Sequence, residues 1–223
     1  MKNKINPEIK CYIESAILPE YRNFDRGHGI QHAREVIRRS LAIVASGKIR
    51  CDLDMVYVIA AFHDYGMKVA RVNHAEHSGI LLRKDENLRK WFSNEQIEIM
   101  ATAVREHSTS LDTEPQSIYG KIVCDADKDT NIETSLRRAL EFSWSNFPNL
   151  SFEQHLESCY EHLKLKFGAN GLVKFYVPCS VNHDFYEKIK YLAANREIAI
   201  EKFREIAMKT NLEKNSKTQK EKT

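Results

Sequence analysis

The stretch "DLDMVYVIAAFHDYG" (52–66) constrains the fold more than any other part of the chain. It opens on an acidic N-cap candidate, Asp52, is then apolar nearly all the way round a helical wheel, and ends at Gly66. A helix of that kind is stable only when buried on most sides, so the remaining sequence must supply the elements that surround it. Two polar residues, His63 and Asp64, stand at its C-terminal end and need a partner in that dry setting.

The surrounding elements read as helices too. In "HAREVIRRSLAIVASG", Ile37, Leu41 and Val44 recur at helical spacing and Gly47 supplies a stop. "SNEQIEIMATAVREHS" starts with a capping box, Ser93 to Gln96, and sets Ile97, Ala101, Val104 and Ser108 on one stripe. A second capping box, Ser151 to Gln154, opens "SFEQHLESCYEHLKLKFG". From Asn182 the positions Phe185, Ile189, Leu192, Ala199, Phe203 and Ile206 stay in helical register. "PQSIYGKIVCDAD" places Pro115 near a helix start, although its β-branched residues also suit a strand. No segment alternates with period two, and 8 glycines and 5 prolines are too few to turn many short strands. We therefore expect an all-α, single-domain bundle over residues 1–208, with an irregular excursion at Phe167 to Pro178 and a disordered lysine-rich tail at 209–223.

Charge excludes one class of partner. The net charge is +3, and it comes from the tail, so the body is close to neutral and no nucleic-acid partner is expected. The 5 cysteines (Cys11, Cys51, Cys124, Cys159, Cys179) are scattered without a C-x-x-C pair, which suits a reduced compartment. Neither a leader of signal-peptide type nor a membrane-length apolar run is evident, so a cytoplasmic protein with no membrane partner is expected.

Polar residues in apolar company carry the chemistry. His32 opens the Ile37/Leu41 helix one turn after His28, His63 and Asp64 end the apolar helix, and Asp127 shares the face of Val123. Each has an ordinary explanation: a hydrogen-bonded core histidine, a helix-end cap, a solvated turn at Asp125 and Asp127. Taken together, polar positions at the ends of three core helices ask for a common partner, because an unpaired buried carboxylate costs several kcal/mol, about 3–5. Two imidazoles and two carboxylates make a mixed donor set that suits a divalent cation: manganese, magnesium, iron, nickel, zinc or cobalt.

The order His32 … His63-Asp64 … Asp127 resembles the HD-domain superfamily of metal-dependent phosphohydrolases. "HGIQHAREV", "AAFHDYG" and "KIVCDADK" are similar to its three motif segments, and "LAANREIAIEKF" is similar to the closing helix of small stand-alone HD hydrolases. The resemblance covers residues 22–135 by motif and extends more loosely to about 208. It implies an HD-type helical bundle with one divalent ion on His32, His63, Asp64 and Asp127. Asp127 is preferred over Asp125 because the family's aspartate follows a small residue, here Ala126. Two residues along a helix turn the side chain by roughly 200°, so the two cannot both face one ion.

The same resemblance implies catalytic roles for Asp64, His74 and His107. His28 is placed either to contact substrate or to cap its own helix, and Lys68 and Arg71, which follow the doublet, either to neutralise a substrate phosphate or to sit on the surface. His74 and His107 would bind phosphate, donate a proton to a leaving group, or orient ligands from behind. The substrate implied is a small phosphorylated molecule, a nucleotide, cut at an ester or anhydride; oligomeric state is left open. Met67 stands where many HD proteins carry lysine, with Lys68 one place later, and no Gly-Tyr-Pro follows His107. The cyclic-dinucleotide branch is therefore not expected. A second ion would require His74 or His77 to join His107. The alternatives are an HD-type di-iron oxygenase and a non-catalytic nucleotide-binding module.

Overall fold

A computed structural model describes residues 4–25, 27–107, 113–128, 130–178 and 180–210. Ser108, Cys179 and residues 211–223 of the tail lie outside them. Among the described residues there are ten α-helices and no strand, the all-α class expected. They are α1 (Pro7–Tyr12), α2 (Ile30–Ser46), α3 (Leu53–Phe62), α4 (His74–Lys84), α5 (Asn94–Arg105), α6 (Ile118–Asp127), α7 (Ile132–Asn146), α8 (Phe152–Phe167), α9 (Ser180–Ala194) and α10 (Arg196–Lys209). No described helix is long and apolar enough to cross a membrane.

The chain packs as two compact units, one of residues 1–128 with 175–181, the other of 129–174 with 182–223. At the centre of the first lies α3, buried at every position from Asp54 to Phe62 and packed against α2, α5 and α6. Each large aliphatic side chain so buried contributes roughly 1.5–3 kcal/mol, which is why this helix organises its neighbours. Asp52 caps it by accepting the Asp54 N–H, and the buried Asp54 carboxylate accepts the Asn6 N–H at 2.7 Å. Ahead of α2, α1 widens into one π turn (Ile13–Ile17) and tightens into a 3₁₀ turn (Leu18–Asn23). That change of pitch puts Ile9, Ile13, Ile17, Leu18 and Tyr21 into the core.

After Phe62 the chain leaves the α-helix, so Gly66 is not a helix stop but part of a 3₁₀ turn, Tyr65–Lys68. A Cβ on Gly66 would sit 2.1 Å from the His74 carbonyl oxygen and 2.5 Å from the Ser78 nitrogen. Only a glycine lets α4 come this close, and Ser78 Oγ accepts the Gly66 N–H at 2.7 Å. Asn73 begins α4 in the left-handed region (φ 59°), where asparagine is tolerated better than most side chains.

Both expected capping boxes form, on α5 and α8, and the ambiguous "IYGKIVCDAD" is helix α6, capped by Ser117. The excursion after Phe167 has no regular element through residue 178. In the second unit α7, α8 and α10 pack on one another around Leu140, Leu156, Phe203 and Ile206. The register running from Asn182 holds, but the helix breaks at Asn195, whose side-chain amide donates to the Tyr191 carbonyl and competes with the helical ladder. Lys209, placed in the tail by its sequence, is the last residue of α10.

Candidate metal centre

Three helix ends of the first unit meet at one point. His32 lies in the first turn of α2, His63 and Asp64 follow the last turn of α3, and Asp127 is the last residue of α6. His32 Nε2 stands 3.1 Å from His63 Nε2, 3.4 Å from Asp64 Oδ2 and 3.0 Å from Asp127 Oδ1. His63 Nε2 is 3.1 Å from Asp64 Oδ2 and 3.8 Å from Asp127 Oδ1. His63 and Asp64 are buried, while His32 and Asp127 keep partial access to solvent.

A second convergence shares Asp64. Its other oxygen, Oδ1, is 3.2 Å from His74 Nε2 at the start of α4 and 3.4 Å from His107 Nε2 just beyond α5. His32, His63 and Asp127 thus form one group that could hold an ion, and Asp64, His74 and His107 form another.

Ring tautomers follow from the backbone. His63 Nδ1 is 2.8 Å from the Ala60 carbonyl, His74 Nδ1 is 3.0 Å from that of Arg71, and His107 Nδ1 is 2.7 Å from that of Val104. A carbonyl oxygen only accepts, so in all three the Nδ1 carries hydrogen, and the neutral ring presents an Nε2 lone pair to the cluster. Every case spans three residues, the reach of an imidazole back onto the last turn of its own helix or loop.

Charge inside the cluster is strongly biased. Burial by itself would lower the His32 pKa, but hydrogen bonds to Asp127 and Asp64 outweigh it and push the value up to about 9. Burial likewise opposes ionisation of Asp64, yet the imidazoles of His63, His107 and His32 hold its carboxyl far below the usual range. Asp127 is lowered against the same burial cost, chiefly by its hydrogen bond to His32. His74 is raised by its hydrogen bond to Asp64, and His107 is raised because Asp64 overcomes the effect of its burial. The cluster therefore favours positive charge held between ionised carboxylates.

That is the requirement of a cation site, and the donor spacing agrees with it. Ligands about 2.0–2.2 Å from one ion and roughly a right angle apart lie about 3 Å from each other. The two imidazole nitrogens of His32 and His63 are 3.1 Å apart and lie 3.0–3.8 Å from the Asp64 and Asp127 oxygens. Two imidazole nitrogens and two carboxylate oxygens suit a borderline divalent ion.

Asp125 is not part of this set. It points the other way from α6, fully buried, onto Lys128 Nζ (2.9 Å) and the N–H groups of Tyr176 and Val177. Of the remaining expected residues, His28 and Arg71 form a rim. His28 precedes α2, its ring 6.2 Å from that of His32 and 5.9 Å from that of His74. Arg71 is exposed and paired with Asp25, whose other oxygen holds His28 Nδ1 at 2.7 Å. Lys68 is turned to the Tyr65 hydroxyl and Glu20, away from the Asp64 network. Among the described residues, His77 is a member of neither group.

Asp25 and Tyr21 escape sequence reasoning. Asp25 makes a local turn by accepting the Gly27 N–H, and "DRGH" is the available signal. Tyr21 is wholly buried and donates its hydroxyl to the Ala61 carbonyl at 2.8 Å, beneath the His63-Asp64 turn; nothing in its sequence context marks it.

A family model described as HD domain matches residues 29–132, just under half of the chain. The matched segment contains His32, His63, Asp64, His74, His107 and Asp127. No curated protein and no solved structure matches the chain.

Proposed function

We propose that this protein hydrolyses a phosphate ester or anhydride of a nucleotide, because residues 29–132 match the model of the HD domain, a family made up largely of metal-dependent phosphohydrolases. One observation supports this above the others: His32 Nε2 and His63 Nε2, 3.1 Å apart, each stand 3.0–3.8 Å from a carboxylate oxygen of Asp64 and of Asp127, and the four residues come from three helix ends. These four would hold the divalent ion. When bound, it supplies Lewis-acid polarisation of a phosphoryl oxygen and makes water a stronger nucleophile near neutral pH.

The chain's own groups divide the remaining work. Asp64 stays ionised, so its Oδ1 can accept a hydrogen bond from the attacking water and orient it. His74 and His107 carry protons on Nε2 readily, because Asp64 stabilises their charged forms. Such a proton can hydrogen-bond a phosphoryl oxygen or be delivered to the leaving oxygen. His28 and Arg71, tied together through Asp25, form a polar rim where the rest of an anionic substrate can rest. Lys68 would contribute only by turning away from Tyr65 and Glu20.

The grouping of His74 and His107 on the second oxygen of Asp64 supports a second reading, in which Asp64, His74 and His107 would hold a second cation. It would serve either the same hydrolysis or, with two irons, oxygen chemistry. Metal-reconstituted protein screened against nucleotides separates these outcomes. Phosphate or pyrophosphate release that is lost in His63→Ala and Asp64→Ala supports hydrolysis. Two irons per chain with oxygen consumption and no phosphate release supports the oxygenase, and full turnover in both variants removes the site assignment.

A further inference from the structure

Asp127 is the terminal residue of α6, and a helix end is where a ligand is hardest to hold still. The last turn leaves its carbonyls without helical partners, and two carboxylates, Asp125 and Asp127, crowd the negative end of the helix dipole. Left alone, that turn would fray first. Yet Asp125 is completely buried, and everything around it opposes fraying. Its carboxylate accepts hydrogen bonds from Lys128 Nζ at 2.9 Å, from Tyr176 N at 2.9 Å and from Val177 N at 2.8 Å. The Lys128 ammonium also lies about 5.0 Å over the rings of Phe175 and Tyr176 and 3.3 Å from Cys124 Sγ. From α2, the buried Arg39 guanidinium donates to the Lys128 carbonyl, directly after Asp127. Residues 175–181 belong to the same compact unit as α6 although 46 residues of chain intervene.

We infer that Asp125 is a positioning residue for Asp127: with Lys128 and the Phe175–Val177 strap it fastens the last turn of α6, and so aims the Asp127 carboxylate at His32 and His63. The two aspartates of "DAD" then have complementary tasks on opposite faces of one helix end, one facing the cation and one anchoring the backbone that carries it. The proposal rests on the cation reading above. Buried cations at Lys128 and Arg39 offset the helix dipole that two carboxylates would otherwise aggravate.

Manganese(II) binding to the full chain tests it, read by titration and by the electron paramagnetic resonance line shape of the bound ion. Asp125→Asn keeps the size of the side chain and removes its charge; it should weaken manganese binding by about 10–100-fold, the range typical of an outer partner of a ligand. The resonance of the ion that still binds should change as well. Lys128→Met, which keeps the stem over Phe175 and Tyr176, should shift affinity in the same direction and carries the test should Asp125→Asn fail to fold. Asp127→Ala separates the two levels: if it binds manganese like the wild type, the cation reading itself fails. If Asp127→Ala loses the ion while Asp125→Asn and Lys128→Met bind it with unchanged affinity and line shape, the positioning role is overturned. A core variant of the second unit, Leu156→Ala, should leave manganese affinity unchanged; an equal loss there would mark the Asp125 effect as general destabilisation and also overturn it.

Discussion

At the residue scale, the decisive arrangement is the imidazole that gives its Nδ1 hydrogen to a carbonyl three residues back. His63, His74 and His107 all do this, so each offers Nε2 inward without help from a distant partner. His32 is the exception and holds a proton strongly, with its pKa pushed up to about 9 by Asp127 and Asp64. That proton competes with a cation for the same nitrogen. Metal affinity should therefore rise steadily from pH 6.5 to about 9, and competition titrations at several pH values measure it. The sign for stability is opposite in the metal-free protein. A pKa raised on folding stabilises fully below the unfolded value near 6.5 and is lost as pH climbs through about 9. Thermal melts of the chelated protein should accordingly show a falling Tm across that window. Asp64 and Asp127 act at the other end: their lowered pKa values stabilise above the ordinary carboxylate range and the benefit is lost on acidification.

Elements bring these residues together, and their joints matter more than their middles. The 3₁₀ turn after α3 rests on Gly66, against which α4 packs backbone to backbone. Gly66→Ala must push the His74 carbonyl away, so we expect a loss of about 3 kcal/mol or more with weakened metal binding. At Gly29 a Cβ would meet nothing nearer than 3.6 Å, and Gly29→Ala should cost no more than about 1 kcal/mol. Denaturant titrations of the pair provide the comparison. Element middles were legible in the sequence: α3 by its apolar run from Met55 to Phe62, α5 and α8 by their capping boxes. The joints were not. Gly66 looked like a stop because only a spatial neighbour reveals why the position excludes a Cβ. The pitch changes between Ile13 and Asn23, and the break at Asn195, arise from packing and from one side-chain hydrogen bond that periodicity does not register.

On the scale of the molecule, the site draws on residues spread from position 28 to 127, yet its order along the chain was enough to nominate them. His32, His63, Asp64 and Asp127 could be named because their order and flanking segments resemble the HD pattern; as single polar residues near apolar faces they, like Asp125, had ordinary explanations. Asp25 and Tyr21 could not, since one is an ordinary turn residue and the other an ordinary buried aromatic until their partners are seen. The gathering of the chain into two units was only half marked in the sequence: the path leaves the first unit at Lys128 with no compositional signal, but rejoins it at Phe175 inside the irregular excursion of residues 167–178. Binding a cation at helix ends of the first unit should stabilise the native state by about 2.7 kcal/mol at 100 times Kd, which for a chain of this size is roughly 5–10 °C in Tm. Scanning fluorimetry with manganese, followed by a chelator, should show that rise and its reversal.

Titration of manganese into the metal-free full chain, repeated with His32→Ala, His63→Ala, Asp64→Ala and Asp127→Ala, tests the central claim most directly. The wild type should bind at least one ion per chain. Every variant should lose more affinity than the about 10–100-fold typical of an outer partner. Wild-type binding by His63→Ala and Asp127→Ala would mean that the three helix ends do not meet to hold an ion.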